Sequence, residues 1–385
     1  MTPRLDEIHV RLKDRAQKPA TRILLYDEHG LATLTDEGGL RETWDRPLDA
    51  LDWMAKFVRS EKATGKWIGY LSYDIGRWFE KLPETARDDL RLPLFVFTYH
   101  SSLSPEVREN TGEEPSHSAK VESNFTRQSY EAAVARVIEY IRAGDVFQVN
   151  LSQRFAARQD RSIPAIYHRL PPAEYGAMLD YGQFALLCNS PELFFRIGKD
   201  RRITTRPIKG TRPRLPGMKE ELKRSVKDQA ELNMIVDLER NDLGRVCQLG
   251  SVRVTQPREI ETHPTVFHGA ATIEGILRPD VRFSDLLRAI FPGGSVTGAP
   301  KIRAMEIIDE LEPVRRGPYC GAIGYLDSDG TMEFNVAIRT MIAKDGVVHI
   351  PVGGGIVADS NPAQEYEETL VKAQAMFEAL GVKYP

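Results

Sequence analysis

The feature of this sequence that most constrains its fold is the density of β-strand patterns. Patterns at 320–326, 332–342 and 346–352 follow one another with only short turns between them. Further strand patterns are found at 21–27, 66–74, 92–100, 145–155, 184–188, 193–197 and 251–255. Helical periodicity is found near 129–144, 218–240, 283–290, 300–311 and 362–380. Because a regular βαβ chain would place a helix after each strand, we predict the α+β class, with large sheets covered by helices.

The composition is that of an ordinary water-soluble protein. Hydrophobic residues make up 41% of the chain, charged residues 28%, and the formal net charge is only -3. Such a balance gives no overall attraction to nucleic acid or to an anionic membrane surface. No stretch approaches the ~18 consecutive apolar residues that a membrane span needs, and no apolar run follows the first charged residues. We therefore expect a cytoplasmic protein without nucleic-acid or membrane partners.

A polar, proline-bearing segment divides the chain into two unequal parts. The segment is almost free of large apolar residues, which is typical of a surface linker. We predict an N-terminal lobe at 1–105, a linker at 106–123 and a larger C-terminal domain at 124–385. The motifs that suggest chemistry lie in the C-terminal part.

Two predicted helices carry acidic side chains three residues apart. The cap pattern at 361–364 fixes the register of the last helix and places Glu365 and Glu368 on one face. Asp228 and Glu231 repeat this spacing on an earlier helix. Each pair could be a solvated acidic face, which is the commoner case. Carboxylates from two helices that converge would instead suit Mg²⁺, which prefers one or two protein carboxylates together with water and substrate oxygens.

Two glycine-rich segments could bind anionic groups. The segment 291–301 leads into a helix and 352–360 precedes the last helix, and both are predicted as turns. Glycines let the backbone approach a ligand closely, and a helix start offers free N–H groups. Either segment could be turn chemistry alone, but both together, beside Arg339 and Lys372, favour carboxylate-binding sites.

One predicted strand has a polar face whose direction is open. In the strand at 145–155, apolar residues alternate with Gln148, Asn150, Ser152 and Arg154. Alternation shows that these four side chains share a face but not what covers it. Solvent is the commoner answer, and a functional site is the alternative.

Two other features have simple interpretations. Cys188, Cys247 and Cys320 share no C-x-x-C spacing, so we expect packed thiols rather than a disulfide framework, a zinc site or a nucleophile. The cationic run 201–214 lacks interleaved aromatic residues and belongs to a chain of negative net charge, so we do not expect it to bind nucleic acid.

Eight ordered sequence blocks resemble the family of chorismate-utilising enzymes. The blocks are GDVFQVNLSQR, NSPELFFR, TRPIKGTRPR, AELNMIVDLERNDLGRV, FPGGSVTGAPK, CGAIGYLD, FNVAIRT and GGGIVADSNPAQEYEETLVKA. The resemblance covers about residues 124 to 382 and is far more specific than any single block. It implies two large, packed, mostly antiparallel sheets flanked by helices, with the site in a cleft between them.

The block around Lys209 distinguishes branches of this family. Pro207 to Thr211 read PIKGT, as in aminodeoxychorismate synthases, component I, whereas anthranilate synthases carry PIAGT. Isochorismate and salicylate synthases carry their base lysine where this sequence has Gln148. The resemblance therefore implies that chorismate and ammonia form 4-amino-4-deoxychorismate through a covalent lysine intermediate, for 4-aminobenzoate and folate synthesis. Ammonia would come from a glutamine amidotransferase subunit, and the alternative is an anthranilate synthase component I.

The resemblance also implies roles for individual residues. The nucleophile would be Lys209 and the acid that protonates the leaving hydroxyl would be Glu192. Mg²⁺ would be held by Glu231 and Glu368, supported by Asp228 and Glu365. The substrate-binding residues would be Gln148, Gly210, Thr211, His268, Thr297, Tyr325, Arg339, Gly353, Gly354, Gly355 and Lys372. Of these, His268 is equally well interpreted as a packed core histidine.

A nucleophilic lysine must be uncharged. The reference pKa of lysine is ~10.4, so little neutral amine exists near pH 7 unless the pKa is lowered. We expect that Arg206, Arg212 and Arg214, which are close to Lys209 in sequence, act together with partial burial to lower it.

Overall fold

A computed structural model gives the fold of residues 3–12, 15–16, 20–26, 30–58, 64–101, 120–263 and 266–383. Its α-helices are α1 Pro47–Val58, α2 Arg127–Ala143, α3 Ile163–Arg169, α4 Met218–Arg224, α5 Val226–Gly244, α6 Phe283–Ile290, α7 Lys301–Leu311 and α8 Pro362–Leu380. Its strands are β1 His9–Leu12, β2 Arg15–Ala16, β3 Arg22–Tyr26, β4 Ala32–Asp36, β5 Gly39–Trp44, β6 Lys66–Leu71, β7 Phe95–His100, β8 Val121–Ser123, β9 Gln148–Arg158, β10 Tyr175–Asp180, β11 Phe184–Ser190, β12 Leu193–Ile197, β13 Arg202–Arg206, β14 Ile208–Pro213, β15 Arg253–Thr262, β16 Val266–Ile276, β17 Gly298–Ala299, β18 Ala322–Asp327, β19 Met332–Val336, β20 Thr340–Lys344 and β21 Val347–Ile356.

The strands form two large antiparallel sheets. The nine-stranded sheet has the order β17-β9-β21-β20-β11-β10-β1-β2, and β8 also pairs with β9. The twelve-stranded sheet has the order β14-β16-β13-β12-β19-β18-β6-β7-β3-β4-β5, and β15 also pairs with β16. One hydrophobic cluster contains residues of both sheets, among them Val10 and Leu186 of the first and Ile68 and Val96 of the second. The sheets therefore pack face to face.

Helices cover the outer faces of both sheets. On the nine-stranded sheet, α2 and α7 pack against β9 in one cluster, and α8 packs against β9, β20 and β21 in another. On the twelve-stranded sheet, α1, α5 and α6 share a large apolar core with the strands. The predicted α+β fold of two packed antiparallel sheets flanked by helices is confirmed. No helix in the part of the chain that the structure describes is long and apolar enough to cross a membrane.

The predicted caps fix the ends of the helices that matter most for the site. The Asn361 side chain accepts hydrogen bonds from the N–H groups of Ala363 and Gln364, and Gly381 ends α8 in the left-handed region at φ +69°. These contacts satisfy donors that the first helical turn leaves free. The register of α8, and therefore the direction of its acidic face, follows from the sequence as predicted.

Three predictions about local structure are wrong, and the structure decides one question that the sequence left open. The pattern at 332–342 forms two strands rather than one, because β19 belongs to the twelve-stranded sheet and β20 to the nine-stranded sheet. The predicted helix 218–240 is divided at Ser225 into α4 and α5. Gly353, Gly354 and Gly355 belong to β21 rather than to a turn. The polar face of β9 is buried and does not face solvent.

The N-terminal part of the chain contributes to both sheets. The strands β1 and β2 extend the nine-stranded sheet, and β3 to β7 are hydrogen-bonded into the twelve-stranded one beside β18. Residues 106–119 of the predicted linker 106–123 lie outside the described residues, and its last residues form β8. The three cysteines are free and buried, as predicted.

Candidate active site

Lys209 lies at an irregular point of β14, at the end of the twelve-stranded sheet. Pairing with β16 shifts register between Ile208 and Thr211, so the strand bulges at Lys209 and Gly210. Gly210 has φ +78°, and a methyl group on it would come within 2.7 Å of Leu222 and 2.8 Å of the Asp228 carboxyl carbon. Glycine is therefore required here on both conformational and steric grounds. A bulge redirects a side chain, and this one turns Lys209 toward the other sheet.

The ammonium of Lys209 reaches the glycine segment of β21. A methyl group on Gly355 would lie 3.3 Å from Lys209 Nζ and 3.2 Å from Gln148 Oε1. Gly355 is paired in register with Asn150 of β9. Gln148, Asn150 and Gly355 therefore present the same face of the nine-stranded sheet to Lys209.

Several buried polar atoms in this region have no hydrogen-bond partner within the described residues. They are both amide atoms of Gln148, Oδ1 of Asn150, Oε1 of Glu192 and Oγ of Ser295. We call Gln148, Asn150, Glu192, Lys209, Ser295 and Gly355 the Lys209 cluster. A buried polar atom without a partner costs about 1–3 kcal/mol, so several of them in one place indicate a site that a polar ligand completes.

Glu192 is buried at the start of β12, with 4% of its surface exposed. Its N–H donates to Ser190 Oγ at 3.2 Å, and its carbonyl accepts from the Val336 N–H at 3.0 Å, so the backbone is held on both sides. Burial raises the pKa of the carboxyl to about 7, although the Ser295 hydroxyl, the Lys209 ammonium and the Ile208 amide favour its charged form. A carboxyl with this pKa can donate a proton near neutral pH.

The pKa of Lys209 is lowered, chiefly by burial and also by the charge of Lys372, while Glu231 and Glu192 oppose the shift. The direction agrees with the prediction, but the expected contribution of the neighbouring arginines is wrong. Arg206 pairs with carboxylates of β15, Arg212 pairs with Glu221 and Asp228, and Arg214 is exposed. Alternation and the bulge turn these side chains away from Lys209.

Arg339 lies where the chain crosses from one sheet to the other. It has φ +48° between β19 and β20, and its carbonyl accepts a hydrogen bond from Asn189 at 3.0 Å. Burial lowers the pKa of its guanidinium, and the charge of Glu192 opposes this. No hydrogen bond or ion pair occupies the guanidinium within the described part of the chain. It is thus available to an anionic ligand near Glu192.

His268 joins this group through Thr211. Its Nδ1 lies 2.9 Å from Thr211 Oγ1, and the side chain is buried. Burial lowers the pKa of the imidazole to about 3, with further contributions from Arg339 and His263. His268 is therefore neutral at physiological pH and lies beside the Lys209 bulge. This position is compatible with a substrate-binding residue and with a packed core histidine.

The acidic side chains of α5 and α8 face the same region. Coulomb interactions with Lys209 involve both Glu231 and Glu368, and the two carboxylates also repel each other. Burial raises the pKa of Glu231 and of Glu365, whereas the Lys372 ammonium at 2.7 Å lowers that of Glu368. Asp228 accepts from Arg212 at 3.0 Å and Glu365 from Ser360 at 2.6 Å.

These carboxylates fit a hard divalent cation that also uses oxygens of water or ligand. Among the described residues, no group of three or more histidine, cysteine, aspartate or glutamate side chains is placed to hold a metal ion. Mg²⁺, however, commonly takes one or two protein carboxylates and keeps several waters. Glu231 and Glu368 supply two such groups from two helices, and a cation would relieve their mutual repulsion.

The open edge of β21 offers backbone donors. The N–H groups of Asn150 and Ser152 donate to Thr297 and Glu312, away from β21. Their partners in register, Gly355 and Gly353, therefore also point their N–H groups away from β9. The carbonyl of Gly353 accepts from Lys372 Nζ at 2.8 Å along this edge. Gly354 instead faces the carboxylates of α8.

Two predicted site residues are placed differently. Tyr325 faces the core between the sheets with Ile323, under the Lys66 ammonium at 4.7 Å and beside a cavity of about 30 Å³. The structure does not bring it to the Lys209 cluster. Thr297 donates its hydroxyl to Gly293 at 2.9 Å within its own loop, so that side chain is already satisfied. A role of either residue in binding a ligand therefore stays a prediction.

Three residues of the region were not predicted. The alternation in β9 placed Asn150 on the polar face of the strand, but it did not show what that face contacts. Ser295 lies in a glycine-rich turn and has no sequence signal of its own. Glu239 of α5 is buried beside Gly294, accepts from Thr205 Oγ1 at 2.7 Å and has its pKa raised to about 8 by burial. In the sequence, only the position of Glu239 on an apolar helix face distinguished it from other acidic residues.

Comparison with known proteins identifies what the chain resembles. Residues 12–378 match the family described as chorismate binding enzyme. Anthranilate synthase component 1 of Thermus thermophilus is 41% identical over 355 residues, covering 81% of this chain and 77% of that protein. Aminodeoxychorismate synthase component 1 of Escherichia coli is 42% identical over 346 residues, covering 81% and 76%.

A solved structure agrees with these relatives. Anthranilate synthase component I from Streptococcus pneumoniae superimposes with a TM-score of 0.83 at 29% identity, covering 96% of this chain and 92% of that one. Relatives with both names match this chain about equally well, so identity alone does not choose between the two activities. The family match extends over nearly the whole chain, and the chain accordingly belongs to the chorismate-binding enzymes.

Proposed function

We propose that this protein is an aminodeoxychorismate synthase component I, which forms 4-amino-4-deoxychorismate from chorismate and ammonia. The observation that carries the proposal is the placement of Lys209. A lysine with a lowered pKa has no hydrogen-bond partner among the described residues and lies in electrostatic contact with a buried carboxyl of pKa about 7. An uncharged amine opposite a protonated acid is the pair that nucleophilic displacement of a hydroxyl group requires.

The first step would join Lys209 to the substrate ring. The neutral amine attacks ring carbon 2, both ring double bonds shift, and the bond from carbon 4 to its hydroxyl group breaks. Glu192 gives its proton to the departing oxygen, which leaves as water. The products are a positively charged lysine adduct, a Glu192 carboxylate and water, so charge and atoms balance.

The second step would replace lysine by ammonia. Ammonia attacks carbon 4, the double bonds shift back, and the bond between carbon 2 and Lys209 Nζ breaks, which releases neutral lysine. The new ammonium group then gives one proton to the Glu192 carboxylate. Both residues return to their starting states, and the enolpyruvyl group is retained.

Binding of the two substrate carboxylates is assigned to different parts of the site. The enolpyruvyl carboxylate would be held by the Arg339 guanidinium, the Lys372 ammonium and the N–H groups of Gly353 and Gly355 that point away from β9. The ring carboxylate would lie near Gly210 and Thr211. A planar guanidinium suits a carboxylate because it can donate two parallel hydrogen bonds.

Mg²⁺ would be held by Glu231 and Glu368, with Asp228 and Glu365 in support. When bound, it would supply positive charge for the ring carboxylate, which would otherwise meet an acidic surface. The ammonia would come from a glutamine amidotransferase subunit, which is consistent with the "component 1" names of the relatives.

Product identification separates the two candidate activities. The protein is incubated with chorismate, ammonium and Mg²⁺, with and without an added aminodeoxychorismate lyase, and the products are resolved by chromatography and mass spectrometry. We expect 4-aminobenzoate to form only when the lyase is present. Fluorescent anthranilate, formed without the lyase, would instead assign the chain to anthranilate synthase.

The role of Lys209 is tested by comparing two lysine variants. Lys209→Ala should lower product formation by about a hundredfold or more, since the covalent route is lost. Lys199→Ala is the matched control, because Lys199 is 67% exposed and makes a surface ion pair with Asp329. A Lys209→Ala rate close to that of the control would refute covalent catalysis by this residue.

A further inference from the structure

Asn150 is a buried polar residue that the proposed reaction does not yet use. Only 8% of its surface is exposed. Its backbone is held on one side by Thr297, whose carbonyl accepts its N–H at 2.7 Å, and by Arg316, which donates to its carbonyl at 2.6 Å. Its side-chain oxygen is buried and has no hydrogen-bond partner among the described residues. The backbone contacts thus fix a side chain whose own acceptor is left open.

Strand geometry directs this side chain toward Lys209. Pairing between β9 and β21 has no register shift, and Asn150 lies opposite Gly355. The N–H groups of Asn150 and Gly355 both point away from the ladder between β9 and β21, so the two residues form a non-hydrogen-bonded pair. In such a pair the two Cβ positions lie about 5 Å apart on the same face of the sheet. A Cβ at Gly355 would lie 3.3 Å from Lys209 Nζ. Asn150 therefore lies within one side-chain length of the nucleophile.

The open groups around Asn150 are mainly hydrogen-bond acceptors. Gln148 Oε1 is likewise buried without a hydrogen-bond partner among the described residues. The carboxylates of chorismate are also acceptors and cannot satisfy them. Ammonia can, because it donates through up to three N–H groups and keeps its lone pair free to attack.

We propose that Asn150 Oδ1 binds the incoming ammonia and, with the neighbouring Gln148 Oε1, orients its lone pair toward the substrate ring. The inference rests on the proposed function, because it needs a reaction that consumes ammonia. It adds a recognition residue for the second substrate, located on β9 between the Lys209 side chain and the Thr297 loop. Asn150 would act without forming a covalent bond.

The test measures KM separately for each substrate at saturation of the other, in Asn150→Leu and Asn150→Asp. Leucine removes the acceptor and keeps the volume, and aspartate keeps an acceptor. Loss of one hydrogen bond is worth about a tenfold change in binding, so we expect Asn150→Leu to raise KM for ammonia about tenfold and to leave KM for chorismate nearly unchanged. Asn150→Asp should raise KM for ammonia less than Asn150→Leu does, because aspartate keeps the acceptor.

The control is Gln153→Leu, in the same strand but on its other face. Gln153 donates to Thr369 at 2.6 Å, away from the Lys209 cluster, so its loss should change neither KM. If Asn150→Leu does not fold, Asn150→Ala tests the same loss of acceptor.

Three results would overturn the inference. An unchanged KM for ammonia in Asn150→Leu would show that the amide does not bind it. A raised KM for chorismate alone would assign Asn150 to chorismate. Absence of any aminated product from the wild-type protein would overturn both the proposed function and this inference, whereas normal amination with an unaffected Asn150→Leu variant would overturn the inference alone.

Discussion

Replacing Glu192 by glutamine should remove one titration from the pH dependence of the reaction. Glu192 is 4% exposed, and burial raises its pKa from 4.5 to about 7. That difference corresponds to about 3 kcal/mol, the extra cost of ionising the carboxyl in this position. Because the folded pKa is the higher one, the native protein retains this proton between about pH 4.5 and pH 7, where an unfolded chain would have lost it.

The size of the kinetic effect follows from the protonated fraction. At pH 7 about half of the enzyme carries the proton on Glu192, and at pH 8 about one molecule in eleven does. The slope of log(kcat/KM) against pH should therefore decrease by one unit near pH 7. Below the lowered pKa of Lys209, log(kcat/KM) also rises with pH because more of the amine becomes neutral. This rise does not remove the decrease in slope that Glu192 causes near pH 7. In Glu192→Gln the decrease near pH 7 should be absent.

The assay follows chorismate consumption between pH 5.5 and 9 at a constant concentration of free ammonia, so that ionisation of ammonium does not enter the profile. At pH 6, where Glu192 is mostly protonated, Glu192→Gln should react about 10²- to 10⁴-fold more slowly, which is the range for loss of a general acid. A profile of Glu192→Gln that keeps the same change of slope near pH 7 would refute the assignment of that titration to Glu192. A rate within a few-fold of the wild type at pH 6 would refute its role as the acid.

Three further predictions concern the metal site, the glycine strand and a buried carboxyl. Glu368→Gln should raise the Mg²⁺ concentration needed for half-maximal activity about tenfold or more, and Glu378→Gln on the same helix should not, as measured by Mg²⁺ titration. Gly355→Ala should lower kcat at least about tenfold with little change in Tm. The added methyl group would lie 3.1–3.3 Å from Gln148 and Lys209 and displace both side chains. An unchanged kcat would contradict this placement. Glu239 has a folded pKa of about 8, so its contribution to the free energy of unfolding should fall by about 5 kcal/mol as pH rises from 4.5 to 8. In Glu239→Gln, the free energy of unfolding measured with urea should depend less on pH. A pH dependence equal to that of the wild type would contradict the assignment.

Local sequence signals predicted the helices at the site better than the strands. The cap residues Asn361 and Gly381 act through contacts within a few positions, so α8 and its acidic face could be predicted from adjacent residues. The pattern at 332–342 could not show that the chain changes sheets at Arg339, because the residues before and after the crossing are equally apolar and buried. Sheet membership depends on pairing with distant strands, and no local pattern contains that information.

The direction of the β9 polar face illustrates the same difference. Alternation placed Gln148, Asn150 and Ser152 together, but solvent was the more frequent covering for such a face. The structure buries it, and Lys209 of β14 approaches Gln148 on this face. The bulge at Lys209 and Gly210 likewise arises from pairing with β16, which is more than fifty residues away in sequence. The resemblance to a known family identified Lys209 as the candidate nucleophile. The bulge in β14 explains the direction in which its side chain points.

Unpaired polar atoms are concentrated at one place in this fold. Of eleven buried side-chain nitrogen and oxygen atoms without a partner among the described residues, five belong to Gln148, Asn150, Glu192 and Ser295. At about 1–3 kcal/mol each, such groups together cost an amount comparable with the whole stability of a typical domain, about 5–15 kcal/mol. Solvent or ligand in the site must therefore satisfy most of them. A ligand with matching donors and acceptors would bind and stabilise the fold through the same contacts, so the polar atoms that are least satisfied in the protein alone are those most available for recognition.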